Sequence, residues 1–517
     1  MISKWLIKEN SYYDSVTLMI ITKEIEARDD VENAVVVMGT DLNKDLLRNV
    51  GLLNDELNKT TANDLIIAVK MKDESKFEEI VAKVEELLNK KKSDGGEDYN
   101  PPTLDSAIKY MPDSNMVVIS LPGAYAAAEA KKALENDKHV MLFSDNVTIE
   151  QERELKELAV SKGLLMMGPD CGTAMINQVP LCFCNKVEKG NIGIVGASGT
   201  GTQEIMVQID RFGGGCSQVI GTGGRDLKKE IGGLMMTLGI QALAEDDNTD
   251  VIVLVSKPPA LEIAEKVLQT LKKCGKKAVV DFIGGDDELV TKYGFIPAKS
   301  LEDAAYKAVA LAKGQKAEEA PLFTESEEEI DKMAEEERKK FSPDQKYLRG
   351  LFSGGTLCDE ALKLFTKEFG GIYSNIPLTP EYRLQDNKKS YKHTALDLGD
   401  DEFTVGRPHP MIDSYMRQQM IMKEAEDREV AVLLMDVVLG YGSNEDPAGS
   451  LADHIKLAKK NFADRGQHLC VVAYVCGTKK DPQNYEQQIN KLKDAGAILM
   501  PSNAQAVRFA MKVVRGL

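Results

Sequence analysis

The chain has 517 residues, room for about three or four domains at roughly 150 residues each, so a single small module is excluded. Hydrophobic residues make up 43% and charged residues 28%, the balance of a folded globular protein rather than a disordered or fibrous one. Lys plus Arg number 65 against Asp plus Glu 82, a formal net charge of -17, which makes nucleic acid and anionic membranes poor partners while leaving room for a small anionic substrate in a local positive pocket.

The opening stretch, MISKWLIKENSYYDSVTLMIITK, is broken by charges and lacks the apolar core of a signal peptide. No run long enough to span a bilayer follows, so a cytoplasmic protein is expected. Residues 1–92 read as a small α/β domain, with ENAVVVMG and DLIIAVKM as strands and ESKFEEIVAKVEELLNKK as a helix. KKSDGGEDYNPPTLD, residues 91–105, has the Gly and Pro pairs of a linker.

Residues 106–190 alternate strands (MVVISLPG, KHVMLF, LLMMGPD) with helices, the grammar of a Rossmann-like domain. Residues 191–315 repeat it, with strand ends at NIGIVGASGTG, CSQVIGTGG, DVIVLVSKPP and KKAVVDFIGG. Residues 316–346 carry TESEEEIDKMAEEERKK, a charged linker or solvated helix. Residues 347–517 form a last domain with strands at YLRGLFSGG, ALDLGDD, EVAVLLMDVVLG, HLCVVAYVCG and AILMPSN. The predicted class is α/β: a small N-terminal domain, a Rossmann-like domain and two flavodoxin-like doubly wound domains.

IGIVGASGTGTQEIMVQIDRFGGG and LRGLFSGGTLCDEALKLFTKEFGG share a strand, a small-residue turn, a helix and a closing Gly-Gly, so the last two domains read as a duplication. Each echoed turn puts small residues where a first strand feeds its helix, and the free N–H groups and positive dipole end of such a helix attract an anion. Ser198, Gly199, Thr200, Gly201 and Thr202 form one candidate phosphate cradle, and Ser353, Gly354, Gly355 and Thr356 the other; each is otherwise an ordinary helix cap.

Other strand ends offer further candidates. Asp170 in GPDCGT lines the site or builds a turn, and Gly223, Gly224 and Arg225 in GTGGRDL supply backbone donors and an anion-binding guanidinium, or a surface turn. Asp397 in LDLGDDEF and Asn444 in VLGYGSNEDPA line the same cleft or are acidic loops. In GRPHPMID two prolines stiffen the chain around His409 beside Arg407, which suits a proton donor and an anion ligand, or a structural loop. The eight Cys show no metal-ligand spacing beyond the lone C-x-C of Cys182 and Cys184, so no metal is expected. A Walker lysine motif is missing, so a nucleoside triphosphate is not indicated.

GPDCGT, GNIGIVGASGTGTQE and GTGGRD together resemble the α subunit of succinyl-CoA synthetase and other NDP-forming acyl-CoA synthetases, and residues 347–517 resemble the CoA-ligase domain of the partner subunit. The fused order, GRPHPMID and MDVVLGYGSNEDPA resemble more specifically the FdrA family, over nearly the whole chain. The resemblance implies that the two cradles hold a phosphate group between paired helix N-termini. The synthetase phosphohistidine is absent from GGDDELVTKYGFIPAKS, its supporting glutamate is matched by Ser256 and Lys257, and there is no ATP-grasp domain. The FdrA resemblance implies a subunit of an oxamate carbamoyltransferase of purine and allantoin degradation, converting oxalurate and phosphate to oxamate and carbamoyl phosphate, with partner subunits and an oligomeric assembly. In that reading Arg225 or Arg407 meets the oxamate carboxylate and His409 protonates the leaving nitrogen. An acyl-CoA synthetase or CoA-dependent transferase subunit is the alternative, and a non-catalytic regulatory subunit a second.

Overall fold

Strands that alternate with helices and are buried on both faces read as continuous apolar runs, and those runs become the central strands here. The computed structural model describes residues 2–89 and 101–517, so most of the linker expected at 91–105 lies outside the described residues. Two compact units are present. One holds the described part of Met1–Asn100 together with Gly399–Asp413; the other holds Pro101–Leu398 and Ser414–Leu517.

In the first unit β1 (Ile2–Lys8), β2 (Val31–Met38) and β3 (Leu65–Met71) form an antiparallel sheet in the order β1-β3-β2. The middle strand β3 is apolar except at Lys70 because both of its faces are covered. Ile67 and Val69 meet Leu18, Ile21, Ile80 and Val84, while Ile66 and Ala68 meet Leu47, Leu52 and Leu57.

The second unit contains three sheets. The first is a small parallel sheet, ordered β4-β5-β6, of β4 (Met116–Ile119), β5 (His139–Leu142) and β6 (Met166–Met167). The second joins β7 (Thr173–Ile176), β8 (Val179–Cys182), β9 (Lys189–Ala197), β10 (Cys216–Gly221), β11 (Val251–Ser256), β12 (Lys277–Phe282) and β13 (Ile296–Pro297) in the order β13-β12-β11-β9-β10-β7-β8. The third is β14 (Tyr347–Phe352), β15 (Thr394–Asp397), β16 (Val430–Val438), β17 (Cys470–Cys476) and β18 (Ala497–Met500), all parallel, in the order β15-β14-β16-β17-β18.

Numbered within each half, β10-β9-β11-β12-β13 and β15-β14-β16-β17-β18 both follow the flavodoxin order 2-1-3-4-5, which bears out the duplicated α/β fold. One boundary differs from expectation. The β7–β8 hairpin pairs with β10, so the sheet of the second domain reaches back across residue 190. Within 316–346, Glu327–Arg338 is a helix with a Ser326/Glu329 capping box that buries Ile330 and Ala334 and packs on helix Asn503–Val514. Among the described residues no helix is long and apolar enough to cross a membrane.

Candidate active site at two helix N-termini

In the 2-1-3-4-5 order, the ends of strands 1 and 3 flank the topological switch point, where ligands of such sheets bind. In the first half, β9 ends at Ala197 and Ser198 caps helix Gly199–Arg211, its Oγ accepting the Gly201 N–H at 3.1 Å. Thr202 Oγ1 donates back to the Ser198 carbonyl at 2.6 Å and is fully buried. Gly201 and Thr202, expected as phosphate ligands, are thus spent on the cap itself. The amides of Gly199 and Thr200 precede the first intrahelical bonds and remain as donors.

The second turn is occupied by the protein's own carboxylate. Asp436 on β16 accepts the Ser353 N–H at 2.8 Å, the Gly354 N–H at 2.7 Å and the Ser353 hydroxyl at 3.1 Å. Ser353 and Gly354 are therefore not open phosphate ligands, a correction that follows from one buried acid reaching across from the adjacent strand. Arg417 balances Asp436 with an ion pair at 3.1 Å and also donates to the Leu351 carbonyl at 3.0 Å. Helix Gly355–Phe369 has no side-chain cap, which leaves the Gly355 and Thr356 amides at its mouth. Asp397, at the end of β15, stands beside them: a Cβ on Gly355 would lie 2.6 Å from its Oδ2.

The echoed turns meet. Ser198 Oγ and Thr356 Oγ1 share a hydrogen bond of 2.7 Å, and Gly354 is so close to Thr200 that a Cβ there would stand 2.8 Å from the Thr200 hydroxyl. Gly354→Ala should force the two turns apart, costing about 1–3 kcal/mol by overpacking. A thermal melt checks this, and an unchanged melting temperature would mean that the contact is loose.

The remaining candidates form other groups. Arg225 is committed, with Nε 2.9 Å from Glu152 Oε2 and Nη2 donating to the Val147 carbonyl at 2.7 Å, so it braces the loop rather than offering a free fork to an anion. Asp170 is exposed with φ +52°, its N–H donating to the Ser144 carbonyl at 2.9 Å. Gly223, at φ +82°, lets its loop pack on the Pro169 carbonyl, with Gly224 next to Asp170. This loop is tied to the first turn through the Thr222 N–H, which donates to the Gly196 carbonyl at 2.8 Å. Asn444 shapes a turn, its Oδ1 accepting the Asp446 N–H at 2.8 Å ahead of helix Pro447–Asp464.

Arg407 and His409 belong to the first unit. There Arg407 Nε donates to Asn43 Oδ1 at 3.2 Å and its Nη2 to the Leu42 carbonyl, while Asn43 Nδ2 donates to the Gly406 carbonyl at 3.0 Å. His409 Nδ1 accepts the Met411 N–H at 3.2 Å, and burial pushes its pKa down to about 4. Burial thus favours the neutral ring, with Nδ1 turned to the backbone.

Three family models match the sequence: CoA-ligase over residues 351–513, CoA binding domain over residues 187–284, and AllF, heavy metal-associated domain, over residues 1–102. The uncharacterized protein YahF of Escherichia coli (strain K12) is 49% identical over 511 residues, covering 99% of this chain and 98% of that one. The chain belongs to the YahF family. Within it, the CoA-binding and CoA-ligase matches mark domains that resemble those of a succinyl-CoA synthetase-like fold. The α subunit of the ADP-forming succinate–CoA ligase of Methanothermobacter thermautotrophicus is 26% identical over 148 residues, 28% of this chain and 49% of that subunit. The apo dinucleotide-forming acetyl-coenzyme A synthetase 1 of Ca. Korarchaeum cryptofilum aligns over 77% of this chain and 82% of its own, at 16% identity and a TM-score of 0.33.

The CoA-binding match covers 187–284, the segment of β9 to β12. The heavy-metal description is not matched by thiolate or imidazole ligands, because residues 1–102 contain neither Cys nor His. Sequence reasoning passed over Asp436, Arg417 and Asp359. The signal for Asp436 was present, a single carboxylate inside the apolar run AVLLMDVV.

Proposed function

We propose that this chain is a subunit of an acyl-transferring enzyme of the CoA-ligase kind that works on an acyl phosphate, with the phosphoryl group held at the meeting point of the two helix N-termini. The observation that carries this reading is the 2.7 Å contact between Ser198 and Thr356, which brings the Gly199, Thr200, Gly355 and Thr356 amides around one point. These N–H groups and the two hydroxyls orient the phosphoryl oxygens and take up the charge that develops on phosphate as the carbon–oxygen bond to it breaks. CoA would supply the attacking thiol, and Gly199 and Thr200, within the CoA-binding match, would face its acceptor site.

A second reading, transfer of a carbamoyl group between oxalurate and phosphate, is favoured by where the histidines stand. His139 opens β5, His393 and His468 precede β15 and β17, and His454 lies within helix Pro447–Asp464. None of these is at the carboxyl strand ends where the turns meet, so a reaction that needs no phosphohistidine suits the site. Here phosphate oxygen attacks the carbamoyl carbon of oxalurate, the carbon–nitrogen bond breaks, and oxamate leaves after gaining a proton on nitrogen.

Phosphate binding by calorimetry tests both readings, with Ser198→Asp as the control. The new carboxylate would repel phosphate by about 4 kcal/mol at an effective dielectric near 20, roughly three orders of magnitude in affinity. Equal binding by the two proteins would dispose of the junction as an anion site. Incubation with acetyl phosphate and CoA, or with oxalurate and phosphate, then separates the acyl-CoA reading from carbamoyl transfer.

A further inference from the structure

We infer that Lys257 is the cation that meets the negative charge of the substrate at the helix junction, releasing its partner Asp359 to do so. The inference rests on the reading above, that an oxyanion, phosphoryl or carboxylate, occupies the junction, and it names the side chain that selects for it. Ser256 ends β11 and pairs in register with Ala197, the residue before the Ser198 cap, so Lys257 is the first residue past the sheet edge beside the first turn. From there its Nζ reaches Asp359 Oδ2 at 2.9 Å, on helix Gly355–Phe369 of the second half. One side chain thereby spans both halves of the junction.

The pair is asymmetric. The Lys257 side chain is 44% exposed and that of Asp359 only 10%, so a buried carboxylate holds an ammonium that solvent still reaches. Two neighbouring cations are spent: Arg417 is buried against Asp436 and the Leu351 carbonyl, and Arg225 is held by Glu152 and the Val147 carbonyl. An anion approaching amides that lie beside Asp397, Asp359 and Asp436 needs an accessible positive charge, and Lys257 supplies it. Lysine suits the task because a compact ammonium on a flexible stem can exchange one oxyanion for another.

Calorimetric titration of the full-length chain with inorganic phosphate and, separately, oxamate tests this on the wild type, Lys257→Met, Lys257→Arg and Asp359→Asn. Lys257→Met should weaken binding by about tenfold or more, as expected for loss of a charge-assisted hydrogen bond, and Lys257→Arg should retain most of it. Asp359→Asn, which frees the ammonium, should tighten binding by a similar factor. Opposite signs are what a merely structural ion pair would not produce. Weakening of phosphate alone or of oxamate alone supports the inference and identifies which oxyanion Lys257 meets. Wild-type affinity in Lys257→Met, or equal weakening by Lys257→Met and Asp359→Asn, overturns the inference and leaves the junction reading intact. Absence of binding of either anion by the wild type overturns the junction reading, and the inference with it.

Discussion

Arg417→Met should destabilise the second unit by about 3–5 kcal/mol, because it leaves the Asp436 carboxylate buried without its counter-charge. Asp436 is fully buried in a strand whose other residues are apolar, and Arg417 pairs with it at 3.1 Å while donating to two carbonyls, those of Leu351 and Asp436 itself. Burial pulls the Arg417 pKa down and the neighbouring Asp436 holds it up, as expected for a charge kept in the interior by one partner. The Ser353 and Gly354 amides still donate to Asp436 in the variant, so the turn stays tied to it. Urea denaturation reads the loss, and the decisive comparison is with Arg417→Met/Asp436→Asn. Removing both charges should recover much of the stability, since an amide oxygen still accepts from the turn and no net charge is left buried. A single variant as stable as the wild type would mean that the Arg417–Asp436 pair carries no weight in the fold, and the account of the second turn as self-filled by an anion would fail.

The parts of this fold legible in the sequence were those fixed by local pattern. Runs such as VIVLV and CVVAYVC are central parallel strands because only a doubly covered strand is apolar at every position, and the echoed turns marked the two helices that meet. What the sequence hid was set by distant partners. β1 was missed because its apolar run, Trp5 to Ile7, is only three residues long between Lys4 and Lys8, and its strand character comes from pairing with β3 more than fifty residues on. The β7–β8 hairpin joined the following sheet by antiparallel pairing of Met175 with Val219, which no local pattern announces. GRPHPMID looked like a catalytic loop, yet its Arg407 is held by Asn43, 364 residues away. The candidate site divides in the same way: Ser198 and Thr356 were readable from the repeat, whereas Asp436 captures a turn 83 residues before it and fills what looked like an open cradle.

Asp281→Asn should stabilise the protein at neutral and alkaline pH and leave it nearly unchanged near pH 4. Asp281 lies in β12, whose Ala278, Val280 and Phe282 pack into one core, so alternation turns the carboxyl to the opposite face. Both of its oxygens are buried without a hydrogen-bond partner among the described residues. Burial pushes its pKa up to about 7; Lys363 opposes the shift, and Glu360, Asp303 and Asp287 add to it. An unfolded aspartate ionises near 3.9, so between about pH 4 and pH 7 the unfolded chain has lost a proton that the folded chain keeps. Stability must therefore fall as pH rises through that window and level off above it. A displacement of about three pKa units corresponds to roughly 4 kcal/mol at 1.36 kcal/mol per unit, and this is the penalty that the neutral amide avoids. Urea unfolding of both proteins at several pH values between 4 and 9 measures the effect as a gap that opens from about pH 4 and is constant above about pH 7. Glu204, on helix Gly199–Arg211, is also pushed up to about 7 by burial, so the variant should keep a residual slope of the same sign. Parallel curves for wild type and variant across the whole range would show that Asp281 ionises as freely in the fold as in the unfolded chain, and that water or a counter-ion reaches it from the helix side of the sheet.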